Sequence, residues 1–181
     1  MIVDAAEQHL AAVAEIYGAA ARTSVSTFDL EPAPLRYWRD KLASASVGDE
    51  GDHFLVALAD SQDSPDSPIL GFGYSGPFRP RPAYARTRET SIYLWPDAQG
   101  RGIGRSLYAV LLNRLRDDDI HLVVAVVAQP NPASNALHER LGFEVAGTLD
   151  EVGYKFGSYV STRWYQLRLD ASTAPAPARG S

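Results

Sequence analysis

The chain has 181 residues, 45% of them hydrophobic and 22% charged, with 17 Lys and Arg against 22 Asp and Glu for a net charge of -5. That length builds one well-buried core and falls short of two, so a single domain over residues 1–170 is expected, followed by a disordered Ala-, Pro- and Ser-rich tail over 171–181. The acidic balance argues against a nucleic-acid surface, and the absence of cysteine removes disulfides, thiolate metal sites and a cysteine nucleophile together.

Residues 2–5 read as a first strand. Leu10, Val13, Ile16 and Tyr17 then recur at helical spacing through an alanine-rich segment that ends near Ala21. A polar loop leads to Pro32 and Pro34, which sit where helices begin, and Leu35, Trp38 and Leu42 repeat at three and four residues, giving a second helix to about Ala45 that residues 48–52 end. Residues 54–59 and 69–74 read as strands joined by an exposed loop over 60–68, after which the prolines of 77–82 break regular structure. Residues 87–95 are strand-like. Residues 106–116 form a helix with Leu107, Leu111 and Leu115 on one face, and the apolar run 122–128 is a buried strand. A short helix over 132–141 stops at Gly142, and residues 158–169 alternate as a last strand. Strands on both sides of a strand, helix, strand unit point to an α/β protein with a mixed sheet. No run approaches the roughly 20 apolar residues of a membrane span, and the acidic start Met1-Ile2-Val3-Asp4 lacks the basic region of a signal peptide, so a cytoplasmic protein is expected.

The densest feature is Gly100-Arg101-Gly102-Ile103-Gly104, three glycines in five residues at a strand-to-helix corner. A helix N-terminus exposes unpaired N–H groups and the positive end of its dipole, and glycines let a ligand lie against bare backbone, so the corner suits phosphate oxygens. The dinucleotide fingerprint fails, because Arg105 and Leu107 occupy both candidate positions for its third glycine, and no Gly-Lys-Ser/Thr follows for a P-loop. A tight turn alone is the competing explanation.

The segment Gln99-Gly100-Arg101-Gly102-Ile103-Gly104 resembles the pyrophosphate loop of the GNAT N-acetyltransferases. Glu89-Thr90-Ser91-Ile92-Tyr93-Leu94 before it, Asn131-Pro132-Ala133-Ser134, Leu137-His138-Glu139, Leu141-Gly142-Phe143, Gly153-Tyr154-Lys155-Phe156-Gly157 and Trp164-Tyr165-Gln166 after it, and Phe28, Glu31-Pro32 and Trp38 upstream extend the likeness over about residues 2 to 169. In order and spacing these are similar to the phosphinothricin and methionine sulfoximine N-acetyltransferase branch.

The resemblance implies a mixed central β-sheet with helices on both faces, acetyl-CoA as co-substrate, a small-molecule amine as acceptor, and a homodimer; His9, His53 and His121 show no metal spacing, so no metal is expected, and charge and hydropathy point to neither a nucleic-acid nor a membrane partner. It places a catalytic glutamate at Glu89, acting directly or through water; pairing with Arg88 or another cation is the alternative. Ile92, Tyr93 and Leu94 would meet the pantetheine arm, Gly100, Arg101, Gly102, Ile103, Gly104 and Arg105 the diphosphate, and Asn131 and Ser134 the arm again. Arg105 suits a solvated helix face equally, and Asn131 before Pro132 is also a good N-cap. His138 departs from the tyrosine of the wider superfamily and matches the branch; it either orients substrate, protonates the leaving thiolate or is a buried structural histidine. Arg79, Arg81 and Tyr84 match the branch's substrate loop, with Arg at the first position where Lys is usual, unless the loop merely solvates an edge. Phe28 and Val126 would flank the substrate, or belong to the core. An acyl-CoA sensor without turnover, and an enzyme for a protein N-terminus, polyamine or aminoglycoside, are the other readings; the arginine-rich loop disfavours a cationic acceptor.

Overall fold

The computed structural model describes residues 1–47, 51–59 and 67–169. Its elements are strands β1 (Ile2–Asp4), β2 (Phe54–Leu58), β3 (Ile69–Pro77), β4 (Thr87–Leu94), β5 (Leu122–Ala128), β6 (Glu144–Lys155) and β7 (Ser158–Arg168), and helices α1 (Leu10–Thr23), α2 (Leu35–Val47), α3 (Ile103–Asp117) and α4 (Pro132–Arg140). The strands form one sheet in the order β1-β2-β3-β4-β5-β7-β6, in which the central β4–β5 pair is parallel and the others antiparallel. This is the mixed sheet with helices on both faces that was expected.

Strand β2 shows why its sequence reads as a continuous apolar run. All five of its residues are buried, because Phe54, Val56 and Leu58 enter a core with α1 and Trp38 of α2, while Leu55 and Ala57 enter a second core with α3, β5 and Tyr165. Leu10, Val13, Ile16, Tyr17 and Ala21 give α1 its buried stripe. Trp38 is fully buried and packs edge-on against Tyr17, Tyr37 and Phe72 with centroids 5.1, 5.0 and 5.3 Å away. Each such buried side chain contributes roughly 1.5–3 kcal/mol of transfer free energy. Leu107, Leu111 and Leu115 of α3 are all buried in the second core, as their spacing requires.

Three differences from the expected elements matter for the site. Helix α3 begins at Ile103 instead of Ser106, so the glycine corner is itself the helix start, with Gly102 as its N-cap. Strand β3 continues three residues further, to Pro77, in register with Arg88. Strand β6 was not anticipated: its twelve residues are almost all exposed, and the register shifts between Val145 and Gly147 and between Leu149 and Gly153. The tail 171–181, most of the 60–68 loop and residues 48–50 lie outside the described residues. Among those described, no helix is long and apolar enough to cross a membrane.

Candidate active site

The centre of the sheet is where the parallel pair β4–β5, the only one among the described residues, comes apart. β4 and β5 are in register at Thr87–Leu122, Arg88–Val123 and Glu89–Val124, and no pair follows. β4 stays paired to β3 through Leu94, and β5 to β7 through Ala128, so the two strands diverge as a V whose facing edges have no ladder partner. Two cavities meet there. The first, of about 680 Å³, runs between the arms of the V, lined by residues that include Ile92, Tyr93 and Leu94 of β4, Gly100, Gly102, Gly104 and Arg105, and Asn131 and Ser134. The second, of about 410 Å³, is lined by residues that include Phe28, Tyr74, Arg79, Glu89 and Trp164. Ser26, Ser91, Tyr93, Val126 and Ala128 belong to both walls.

The mouth of the first cavity is the glycine corner. Gly100 and Gly102 have φ of 72° and 81°, the left-handed region that costs other residues about 1–2 kcal/mol, and a Cβ at either would meet nothing within 4 Å. Their conformation, rather than crowding, requires glycine, and the space beside them is open. No side chain caps α3, so its first N–H groups are left to solvent or a ligand. Gly104 is a packing glycine, where a Cβ would lie 3.3 Å from Leu94. Arg101 and Ile103 are not among the residues lining the cavity. Asn131 is the N-cap of α4, its Oδ1 accepting the Ser134 N–H at 3.1 Å.

At the fork of the V stands Glu89. Strand alternation puts Glu89, Ser91 and Tyr93 on one face and Arg88, Thr90 and Ile92 on the other. Arg88 is therefore not its partner: the guanidinium is buried on the far face, with Nε 3.1 Å from Asp52 and Nη1 donating to the Ala85 carbonyl at 2.7 Å. Glu89 has Arg79 3.9 Å away instead. Burial pushes its carboxyl above the ordinary range, while the charges of Arg79 and Lys41 pull it back. Lys41 was not anticipated as a neighbour. Its ammonium lies 3.9 Å from the ring centroid of Tyr74, a wall residue of the second cavity, and burial pushes its pKa down. Nothing in the pattern of α2 distinguishes this lysine from a solvated one.

Arg79 is the member of the arginine loop that reaches the second cavity; it stacks on Phe78 and donates to that residue's carbonyl at 2.7 Å. Arg81 and Tyr84 are exposed and stand outside the cavity wall, Tyr84 packing edge-on against Phe78. Phe28 and Val126 both line the cavity.

His138 is buried and stands in the wall of the first cavity with Tyr108 and Thr90. Its Nδ1 donates to the Ser134 carbonyl at 2.8 Å, and its Nε2 lies 3.2 Å from the Tyr108 hydroxyl, which shares a 2.6 Å bond with Thr90. Burial pushes the imidazole pKa down, the carbonyl opposing it. With Nδ1 committed as donor, Nε2 accepts from Tyr108, so the neutral ring has no free proton to give. Tyr108 itself was missed, although it lies one turn beyond Gly104 on the buried side of α3.

Residues 10–143 match the family model described as Acetyltransferase (GNAT) family. The chain is 41% identical over 163 residues, covering 90% of this chain and 92% of the relative, to a phosphinothricin N-acetyltransferase of Streptomyces coelicolor. It is 33% identical over 179 residues, covering 97% and 98%, to an L-methionine sulfoximine/L-methionine sulfone acetyltransferase of Pseudomonas paraeruginosa. Among solved structures, a GNAT superfamily phosphinothricin acetyltransferase from Sinorhizobium meliloti in complex with acetyl-CoA superposes with a TM-score of 0.87 at 32% identity, covering 99% of this chain and 94% of that one.

Proposed function

The chain belongs to the GNAT acetyltransferase family, and on that premise we propose that it moves the acetyl group of acetyl-CoA to the free α-amine of a small amino-acid-like acceptor of the phosphinothricin, methionine sulfoximine or methionine sulfone kind. The observation that carries this reading is the fork of β4 and β5, where an arm-shaped cavity leading from the glycine corner opens into a second, smaller cavity beside Glu89.

In this reading the diphosphate lies against Gly100, Gly102 and the first N–H groups of α3, with Arg105 adding charge. The pantetheine arm lies between the parted strands, where the free backbone edges of Ile92, Tyr93 and Leu94 supply hydrogen bonds. Asn131, with Oδ1 committed to its cap, offers the NH2 of its carboxamide. The acceptor occupies the second cavity, its anionic or polar end toward Arg79 and its flanks against Phe28 and Val126. An α-ammonium, with a reference pKa of about 7.7–8.0, loses its proton to Glu89 directly or through a water. The amine nitrogen then attacks the thioester carbonyl, the C–N bond forms, the C–S bond breaks, and the sulfur leaves as thiolate to be protonated to the free thiol. A carboxyl raised by burial suits a base, because its affinity for the proton is closer to that of the amine. His138 acts as a positioning residue, holding Tyr108 and through it Thr90 under the fork.

The test is thiol release from acetyl-CoA with phosphinothricin, methionine sulfoximine, methionine sulfone and spermidine. Turnover with the first three above spermidine is expected; no release above background with any of the three overturns the reading. The large apolar side chains exposed on β6, β7 and the turn between them, among them Val152, Tyr154, Phe156 and Tyr159, offer the face for a homodimer. Light scattering at tens of micromolar should return twice the chain mass, and a monomer mass removes that assignment.

A further inference from the structure

Among the buried charged side chains of the described residues that the mechanism does not use is Lys155. Lys155, at the end of β6, is only 3% exposed, and its ammonium donates to the backbone carbonyl of Thr27 at 2.7 Å, across 128 positions of sequence. Burial pushes its pKa down and the carboxylate of Asp29 opposes this. A lysine removed this far from water needs a compensating role. Thr27 belongs to the segment between α1 and α2 that crosses the second cavity: Val25, Ser26, Thr27 and Phe28 all line it. The Thr27 hydroxyl is buried and shares a 2.6 Å bond with that of Tyr17, which also donates to Asp29 at 2.7 Å. Tyr17 in turn packs edge-on against Tyr93, on the wall of both cavities.

Two residues before Lys155, the same strand makes a second contact with this segment. A Cβ at Gly153 would run into Cε2 of Phe28 and lie 2.7 and 2.8 Å from Cζ and Cδ2. The ring therefore lies directly on the bare backbone of β6. Gly153 lies outside the left-handed region, so another residue fits the backbone there, and Phe28, 40% exposed, has room to swing away.

We propose that Gly153 and Lys155 are specificity-determining positioning residues: together they clamp residues 25–29 onto β6, with Phe28 seated on Gly153, and so set the width of the acceptor cavity for a small amino acid. This rests on the reading of the second cavity as the acceptor site. A side chain at 153 lifts Phe28 into the cavity and narrows it, whereas loss of the ammonium at 155 frees the segment.

The experiment has two arms. In the first, Gly153→Ala, Phe28→Ala and the double variant are compared by steady-state kinetics with methionine sulfone and acetyl-CoA. Gly153→Ala should raise the KM for the amine at least tenfold with the KM for acetyl-CoA within twofold, and should change neither further once Phe28 is already alanine. Equal increases in both KM values, or the same penalty in the Phe28→Ala background, overturn the proposal. In the second, chymotrypsin cleavage after Phe28 is followed by mass spectrometry in the wild type and Lys155→Met, which needs no substrate. Cleavage at least tenfold faster in the variant is expected, and equal rates refute the clamp. A wild type that acetylates no amine overturns the acceptor reading, and with it the role in specificity, while the cleavage arm still judges the clamp.

Discussion

Replacing Gly102 by alanine separates two demands that the glycine corner meets at once. In the free protein the methyl group meets nothing within 4 Å, so the cost is that of holding alanine at φ 81°, about 1–2 kcal/mol. For a chain of this size that lowers Tm by about 2–8 °C. If the variant relaxes φ instead, the N–H groups that begin α3 turn away from the ligand, and each charge-assisted hydrogen bond lost costs about 1.5–3 kcal/mol. One such loss weakens acetyl-CoA binding roughly 10- to 150-fold. Isothermal titration of wild type and Gly102→Ala with acetyl-CoA, and with acetylpantetheine, which has no diphosphate, reads both effects. The account requires the penalty for acetyl-CoA and almost none for acetylpantetheine. A variant with the lowered Tm but an acetyl-CoA Kd within twofold of wild type would refute the role given to these donors.

Four other variants probe the fork and its surroundings. Glu89→Gln should lower kcat by about 10²- to 10⁴-fold with the acetyl-CoA Kd unchanged. In the wild type, kcat/KM falls as pH drops through the Glu89 pKa, which lies above the ordinary carboxylate value, and that acid limb should be absent from the variant. Arg79→Ala should raise the KM for the amine at least tenfold in steady-state assays; because the Arg79 charge lowers the Glu89 pKa, its loss should also move the acid limb to higher pH. Arg81→Ala, outside the cavity wall, should stay within twofold of wild type in the same assays. His138→Leu takes one partner from the buried Tyr108 hydroxyl, at a cost of about 1–3 kcal/mol read as a lower Tm, and should leave the pH profile of kcat in place.

The sequence was most informative where one physical demand acts on adjacent residues. The glycine corner is such a place, since positive φ at two of five positions leaves few alternatives to glycine, and it located the mouth of the first cavity. The buried run of β5 and the leucine stripe of α3 were legible for the same reason. Strand β6 was not, because it buries almost nothing and its bulges break the period of two on which a strand is recognised. Its consequence for the site, the seat of Phe28 on Gly153, links positions 125 apart and has no local signal. Glu89 was located by family likeness, while its surroundings came from tertiary structure: alternation sends Arg88 to Asp52 across the sheet and leaves Arg79 and Lys41 to face the carboxyl. The arginine loop was read as one unit, yet only its first arginine lines the cavity.

The most direct measurement is a crystal structure of the chain soaked with acetyl-CoA. The account predicts diphosphate oxygens within hydrogen-bonding distance of main-chain nitrogens between residues 100 and 105, the pantetheine arm in the fork past Glu89 and Val124, and the thioester carbonyl at the junction of the two cavities. Density for the nucleotide on another face of the sheet, or an arm that leaves the fork empty, contradicts it.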